Sequence, residues 1–209
     1  MDLNRRAEEM RDFFNEKIDE YDERHMKVIK GKEKIIEFLP DKLDRIVDLG
    51  TGTGLQLIKL YEVYPDVKTI AIDVSDEMLN KLKERNISDN IDIVNQSFFD
   101  YDFGNNVYDA FISTQALHHF NKEDKINLYT KVYNSLKDNG VFVNEDYFVM
   151  NDEEEKNKFA EYENMVRGDK AHYDTPLTIE HEVEVLKESG FKDINTLITD
   201  EYKIIIAKK

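Results

Sequence analysis

Three of the eight glycines in this 209-residue chain stand close together, at Gly50, Gly52 and Gly54. They follow an apolar stretch at 45–49, which predicts a short buried strand, and they precede a helical pattern at 55–61. Glycine lets backbone N–H groups approach a ligand with no Cβ in the way, and the start of a helix presents a positive dipole end. The order of strand, glycines and helix therefore predicts a ligand-binding loop at the carboxyl edge of a sheet.

The spacing of these glycines distinguishes two classes of ligand. A dinucleotide loop requires G-x-G-x-x-G/A, but the sixth residue is Leu55 when counted from Gly50 and Leu57 when counted from Gly52. Asp48 stands two residues before the first glycine, where its carboxylate would repel a pyrophosphate and attract an ammonium group. The loop favours a ligand with an amino group; a glycine-rich turn without a ligand is the alternative.

The segment Asp-Leu-Gly-Thr-Gly-Thr-Gly at 48–54 resembles the first motif of the class I S-adenosylmethionine-dependent methyltransferases. The resemblance extends over residues 40–150. It implies a Rossmann-like fold, S-adenosyl-L-methionine as cofactor and S-adenosyl-L-homocysteine as product. By this resemblance the following loop residues hold the methionine end of the cofactor: Asp48, Gly50, Thr51, Gly52 and Gly54.

Further cofactor residues follow the next two predicted strands. Asp73 ends a strand and resembles the family's ribose carboxylate, whose two oxygens can accept hydrogen bonds from two vicinal hydroxyls; a helix-capping aspartate is the alternative. Val74 and Met78 stand where the family flanks the adenine ring, although core packing would also explain them. Ser97 occupies the position of the family's usual acidic residue, and the backbone N–H of Phe98 could contact the ring.

The segment after the fourth predicted strand contains two adjacent histidines. By the resemblance, the backbone at Thr114 and Gln115 lies beside the sulfonium end of the cofactor. His118 and His119 are the candidate catalytic residues, one of them acting as a general base. Because neighbouring residues in a regular element cannot both face one pocket, we favour His119, whose neighbour Phe120 implies an apolar wall that keeps the imidazole neutral. The alternative is that both histidines pack the start of a helix.

Two other segments are predicted to close the site. Tyr21 and Asp22 resemble the aromatic and acidic pair that covers the cofactor in related small enzymes, although a helix-terminal tyrosine is an equal alternative. Tyr147, His172 and Tyr173 lie where the family builds its acceptor pocket, and we predict that they contact the substrate.

The elements that position these residues alternate between strand and helix, which is typical of βαβ units. We predict a Rossmann-like, doubly wound α/β fold with a seven-stranded, mostly parallel sheet, an antiparallel last strand and helices on both faces. The predicted strands are 45–49, 67–72, 91–94, 108–113, 141–145, 194–199 and 202–207; the predicted helices are 2–20, 22–39, 55–61, 75–85, 122–136, 151–170 and 179–189.

The whole chain, residues 1–209, is predicted to be one methyltransferase domain. Its parts are an N-terminal helical lid (1–40), a cofactor-binding core (41–150), a substrate-pocket insertion (151–178) and a closing helix with a strand pair (179–209).

Composition limits the partners. A formal net charge of −16 disfavours nucleic acid and anionic membranes and favours a small-molecule acceptor. The absence of cysteine and of an apolar leader predicts a cytoplasmic protein, either a monomer or a homodimer. Five histidines without a metal-binding spacing, and no cysteine, predict no metal site.

Methyl transfer to a small molecule is an in-line displacement, so the protein mainly aligns the reactants and excludes water. Three alternatives stay open. One is a carboxy-S-adenosylmethionine synthase, which would need a basic residue near the methyl position, and the motif segments contain no arginine. The others are a cofactor-binding regulatory module without turnover and, against the glycine spacing, a nicotinamide dehydrogenase.

Overall fold

The computed structural model describes residues 3–25, 29–164 and 174–209, in which seven strands form one sheet. The strands are β1 (Arg45–Leu49), β2 (Lys68–Asp73), β3 (Ile91–Asn95), β4 (Tyr108–Thr114), β5 (Leu136–Glu145), β6 (Asp193–Ile198) and β7 (Lys203–Lys208). Their spatial order is β3-β2-β1-β4-β5-β7-β6. Strand β7 pairs antiparallel with β5 and β6, and the other pairs are parallel. The predicted Rossmann-like sheet with an antiparallel last strand is confirmed.

Helices cover both faces of this sheet. They are α1 (Leu3–His25), α2 (Ile29–Lys34), α3 (Leu55–Val63), α4 (Asp76–Arg85), α5 (Lys122–Ser135), α6 (Asp152–Glu163) and α7 (Ile179–Glu188), with 3-10 turns at Ile35–Phe38 and Leu117–His119. Successive strand residues face opposite sides, so Ile46 packs with α3 and α4 while Val47 packs in the core that contains α5 and α7. No helix of the described ranges is long and apolar enough to cross a bilayer.

The strand order reverses at β1, which has β2 on one side and β4 on the other. In open α/β sheets a crevice forms beside the carboxyl ends of the strands at such a reversal. The segments that follow β1, β2 and β4 all begin at this edge. They carry the glycine loop, Asp73 and the two histidines, respectively, which explains why residues distant in sequence meet there.

Two predicted elements were wrong in their boundaries. Instead of a helix over 22–39, α1 continues to His25 and α2 begins at Ile29. Tyr21 and Asp22 are therefore inside α1 rather than after it, because contacts of α1 with the body of the protein continue through them. Strand β5 begins at Leu136 rather than at residue 141, and it contains a bulge. Tyr108 pairs with Leu136 and Ala110 pairs with Val141, so β5 advances by five residues while β4 advances by two. Within this bulge Asn139 has φ +65°.

Helix α1 lies across the carboxyl edge of the sheet and is fastened to α4. Lys81 Nζ donates to the carbonyl of Ile18 at 2.7 Å, and Ser75 Oγ donates to Asn15 Oδ1 at 2.6 Å. The polar groups of α4 and of its N-cap thus hold α1 over the segments that follow β1 and β2.

Candidate functional site

The glycine loop has a backbone that only glycine adopts easily. Gly50, Gly52 and Gly54 have φ values of +70°, +54° and +74°. A Cβ on Gly50 would lie 2.5 Å from the Cβ of Ala116, and one on Gly54 would lie 2.4 Å from Leu82 Cδ1. The loop therefore needs glycine both for its conformation and for its close packing.

Asp48 stabilises this loop through hydrogen bonds from its buried carboxylate. Its Oδ2 accepts hydrogen bonds from Thr51 Oγ1 at 2.6 Å and Gln56 Nε2 at 2.5 Å, and its Oδ1 has no hydrogen-bond partner among the described residues. Burial raises the pKa of Asp48 to about 6, although the bonds from Thr51 and Gln56 act in the opposite direction. A buried carboxylate with an unused oxygen is a ready acceptor for a cation behind the loop.

Asp73 connects the loop to the start of α4. Its Oδ2 accepts the N–H of Gly52 and its Oδ1 accepts the N–H of Ser75, both at 2.9 Å. Burial raises the pKa of Asp73, and the backbone N–H donors limit that rise. Each carboxylate oxygen retains capacity for a second donor, so a vicinal diol could bind without displacing the backbone bonds.

These groups line one cavity at the carboxyl edge of the sheet. His119 and nine of the predicted cofactor residues line it: Tyr21, Gly50, Gly52, Asp73, Val74, Met78, Ser97, Phe98 and Gln115. Four others, Asp48, Thr51, Gly54 and Thr114, are buried but do not line the cavity. They support the wall, and Thr114 accepts a hydrogen bond from Lys32.

Helix α1 supplies the aromatic side of the cavity. The hydroxyl of Tyr21 would lie only 3.0 Å from a Cβ on Gly52, so the phenol rests on the glycine loop. Asp22 accepts a hydrogen bond from Thr53 Oγ1 at 2.7 Å and forms an ion pair with Arg85. Burial raises the pKa of the Tyr21 phenol, and the nearby carboxylates add to the rise. The cavity is thus apolar in lining and negative in electrostatic potential at this end.

Each of the two histidines contacts its own carboxylate. His118 Nδ1 lies 2.5 Å from Asp146 Oδ1, and His119 Nδ1 lies 2.9 Å from Asp174 Oδ1. Only His119 lines the cavity. Burial alone would lower the pKa of His118, but the carboxylates of Asp146 and Asp174 reverse this, and the pKa is raised. A protonated imidazole cannot accept a proton, so this ion pair disfavours His118 as a general base.

The two imidazoles lie close together, although only that of His119 lines the cavity. In the 3-10 turn the rings of His118 and His119 lie 4.0 Å apart between centroids, and His118 Nε2 is also 3.8 Å from Asp174 Oδ1. The ligand atoms of these three residues lie within 4.8 Å of one another, a group that could hold a metal ion and that linear spacing could not reveal. The distances from His118 to Asp146 and from His119 to Asp174 are those of hydrogen bonds, and we interpret both contacts as hydrogen bonds rather than as a metal site.

Sequence reasoning did not single out the two carboxylates as partners of the histidines. Asp146 directly follows β5, and this position at a strand end could have marked it as a candidate site residue. Asp174 follows residues 165–173, which the structure does not describe, and no comparable pattern in the sequence marks it. Of the predicted substrate residues, Tyr147 is 40% exposed and its ring lies 5.9 Å from that of His118. His172 and Tyr173 lie outside the described residues.

Two buried cations were also missed. Arg6 of α1 is 1% exposed, and its Nε donates to the carbonyl of His119 at 3.1 Å while its guanidinium lies over Tyr162. Lys32 of α2 is 2% exposed and donates to Thr114 Oγ1 at 2.9 Å. Both come from the N-terminal helices, where the sequence pattern resembles that of any charged amphipathic segment.

Comparison with known proteins shows a resemblance to methyltransferases. A family model described as a methyltransferase domain matches residues 46–140. The carboxy-S-adenosyl-L-methionine synthase of Nautilia profundicola is 27% identical over 177 residues, covering 77% of this chain and 74% of that protein. A phosphoethanolamine N-methyltransferase of Plasmodium falciparum is 27% identical over 160 residues, covering 76% of this chain and 57% of that protein. Human N-acetylserotonin methyltransferase in complex with SAM has a TM-score of 0.65 at 21% identity, over 86% of this chain and 51% of that one.

Proposed function

We propose that this chain is a class I S-adenosylmethionine-dependent methyltransferase that transfers the methyl group of its cofactor to a small-molecule acceptor, with His119 as general base. The observation that carries this proposal is that the cavity lined by Asp73 and the glycine loop is also lined by His119. The candidate cofactor site and the candidate base therefore line the same cavity.

The cavity fits S-adenosylmethionine in three respects. Asp73 keeps acceptor capacity for a ribose diol, Gly50 and Gly52 line the cavity with backbone that carries no side chain, and the unused Oδ1 of Asp48 lies behind the loop that would hold the amino group. When bound, the cofactor supplies an electrophilic methyl group on a sulfonium. Val74 and Met78 would flank the adenine, and the apolar lining would keep the space near the sulfonium dry.

His119 has the setting of an oriented base. With Asp174 accepting the proton on Nδ1, Nε2 is the ring nitrogen that keeps a lone pair for the acceptor. The ring of Phe14 packs edge-on against this imidazole with centroids 5.6 Å apart, which limits its rotation. Asp174 thus positions the base, and Asp146 holds the neighbouring His118 away from the acceptor.

The test is a screen of hydroxyl, amine, thiol and carbon-acid metabolites for release of S-adenosylhomocysteine, followed by substitution of the base. His119→Gln should lower kcat by about 10²–10⁴-fold, leave the affinity for S-adenosylhomocysteine within about twofold, and remove the acidic limb of the pH–rate profile. His181→Gln is the matched control, because His181 also contacts a carboxylate, that of Glu155, but does not line the cavity. Normal turnover of His119→Gln with an unchanged pH profile would contradict the base assignment.

The carboxy-S-adenosylmethionine synthase alternative receives less support from the cavity. Such an enzyme would need a cation near the methyl position, and among the described residues that line the cavity none is lysine or arginine. Arg6 lies on the same helix as the lining residue Met10, but its Nε already donates a hydrogen bond to the carbonyl of His119. Accumulation of carboxy-S-adenosylmethionine from the cofactor and a carboxylate donor would favour this alternative. Saturable cofactor binding without any turnover would favour the regulatory module.

A further inference from the structure

A cluster of charged side chains lies one layer behind the cavity, on the face of the sheet that α2 covers. Asp48 on β1, Thr114 on β4 and Glu145 on β5 project to this face, and Lys32 reaches it from α2. The contact is close, since a Cβ on Gly31 would lie 2.9 Å from the carboxyl carbon of Glu145. Neither catalysis nor the known motifs explain why these charges are buried together.

Glu145 is joined to the cavity wall through one residue. Gln115 lines the cavity, its Nε2 donates to Glu145 Oε1 at 3.0 Å, and its backbone N–H donates to the Glu145 carbonyl at 2.9 Å. The second oxygen, Oε2, is buried and has no hydrogen-bond partner among the described residues. A buried carboxylate with a hydrogen bond to only one of its two oxygens still attracts a further positive charge.

The cluster carries more negative than positive charge. Lys32 is its one cation among the described residues, against the carboxylates of Asp48 and Glu145, so full ionisation leaves an excess of one negative charge. A buried excess charge is costly unless it is neutralised. Burial is the main cause of the raised pKa of the Tyr21 phenol, and the carboxylates of Asp73, Asp22 and Asp48 add to it, which places negative charge close to this cavity-lining residue.

We propose that Glu145, opposed by Lys32 and linked to the wall by Gln115, makes this cavity distinguish the cationic sulfonium cofactor from its neutral thioether product. Methyl transfer converts a sulfonium into a thioether, so the ligand loses one positive charge within a negative cavity. The product then binds less tightly than the cofactor, which favours its replacement. The proposal rests on the family's cofactor and is independent of the acceptor and of His119.

The titration of Glu145 gives the proposal a pH signature. Burial raises its pKa to about 7; Lys32 acts against the rise, Asp146 adds to it, and Gln115 and His118 also act against it. Strand β7 pairs the apolar Ile204 with it, and Tyr202, just before β7, lies with Glu145 against Gly31 of α2. The carboxylate is therefore ionised at pH 8 and protonated at pH 6, so preference for a cationic ligand is present above pH 7 and lost below it.

The experiment compares two ligands by isothermal titration calorimetry at pH 6 and pH 8. Sinefungin carries an ammonium group in place of the sulfonium methyl, and S-adenosylhomocysteine is neutral at that position. The affinity ratio of sinefungin to S-adenosylhomocysteine should fall by up to about tenfold from pH 8 to pH 6 in the wild-type protein. At pH 8 the Glu145→Gln variant should already show the lower affinity ratio that the wild type shows at pH 6, and its ratio should change little with pH. The small change that is left comes from the titration of Asp48.

Two variants keep the test decisive. Glu182→Gln is the matched control, because Glu182 is also buried against a lysine, Lys125, but on the opposite face of the sheet, and its ratio should equal that of the wild type. Lys32→Met removes the cation that lowers the pKa of Glu145, so the change in the ratio should move to higher pH than in the wild type, which tests the proposal even if Glu145→Gln fails to fold. A ratio that is the same in the wild type, Glu145→Gln and Lys32→Met would overturn the proposal, whereas failure to find an acceptor would not affect it.

Discussion

Replacement of Asp73 is the sharpest test of the cofactor site, because the structure shows what its carboxylate does without a ligand. Each oxygen accepts one backbone N–H, from Gly52 or Ser75, and has room for one more donor. A hydrogen bond to a charged group contributes about 1.5–3 kcal/mol. Loss of two ribose hydroxyl bonds in Asp73→Ala therefore corresponds to about 3–6 kcal/mol, or at least about 100-fold in the dissociation constant.

Titration calorimetry with S-adenosylhomocysteine measures this directly. Asp73→Asn keeps one acceptor oxygen and should lose about tenfold, so the two variants should rank in that order. Asp76→Ala is the control, since Asp76 begins α4 three residues later and is exposed. An Asp73→Ala protein that binds S-adenosylhomocysteine within threefold of wild type would refute the ribose assignment. Its melting temperature should also fall, because two backbone donors lose their acceptor.

Two predictions concern stability. Gly54→Ala combines a positive φ with a Cβ 2.4 Å from Leu82 Cδ1, so it should lower the free energy of unfolding by about 2–4 kcal/mol and Tm by roughly 4–16 °C. Gly104→Ala is the control, since Gly104 has φ +71° but a nearest contact of 3.2 Å, and its loss of stability should be smaller. Equal losses of stability in the two variants would contradict the packing argument. Asp146→Asn should destabilise by about 3–5 kcal/mol. Burial works against the ionised Asp146, yet His118 lowers its pKa, while the pKa of His118 is raised. The pair is therefore complete above the carboxyl pKa and is lost as pH rises through that of His118. Denaturant unfolding at pH 5.5 and pH 9 should show a larger deficit at pH 5.5, and an equal deficit would contradict the ion pair.

The glycine loop and Asp73 could be predicted because their signals are local: a strand, a turn that requires positive φ, and a helix follow one another directly. The pairing of His119 with Asp174 joins positions 55 residues apart, and that of Lys32 with Thr114 joins positions 82 apart. Such contacts depend on which chain segments reach the same sheet edge, and periodicity carries no information about that. The predicted break between the first two helices failed for the same reason, since Tyr21 is held by tertiary contact.

Helix α1 touches both ends of the site, and this links ligand exchange to chemistry. Met10, Phe14 and Tyr21 form one wall of the cavity, while Arg6 on the same helix holds the carbonyl of His119. Because both contacts belong to one helix, any displacement of α1 that opens this wall would also move Arg6 away from the His119 carbonyl.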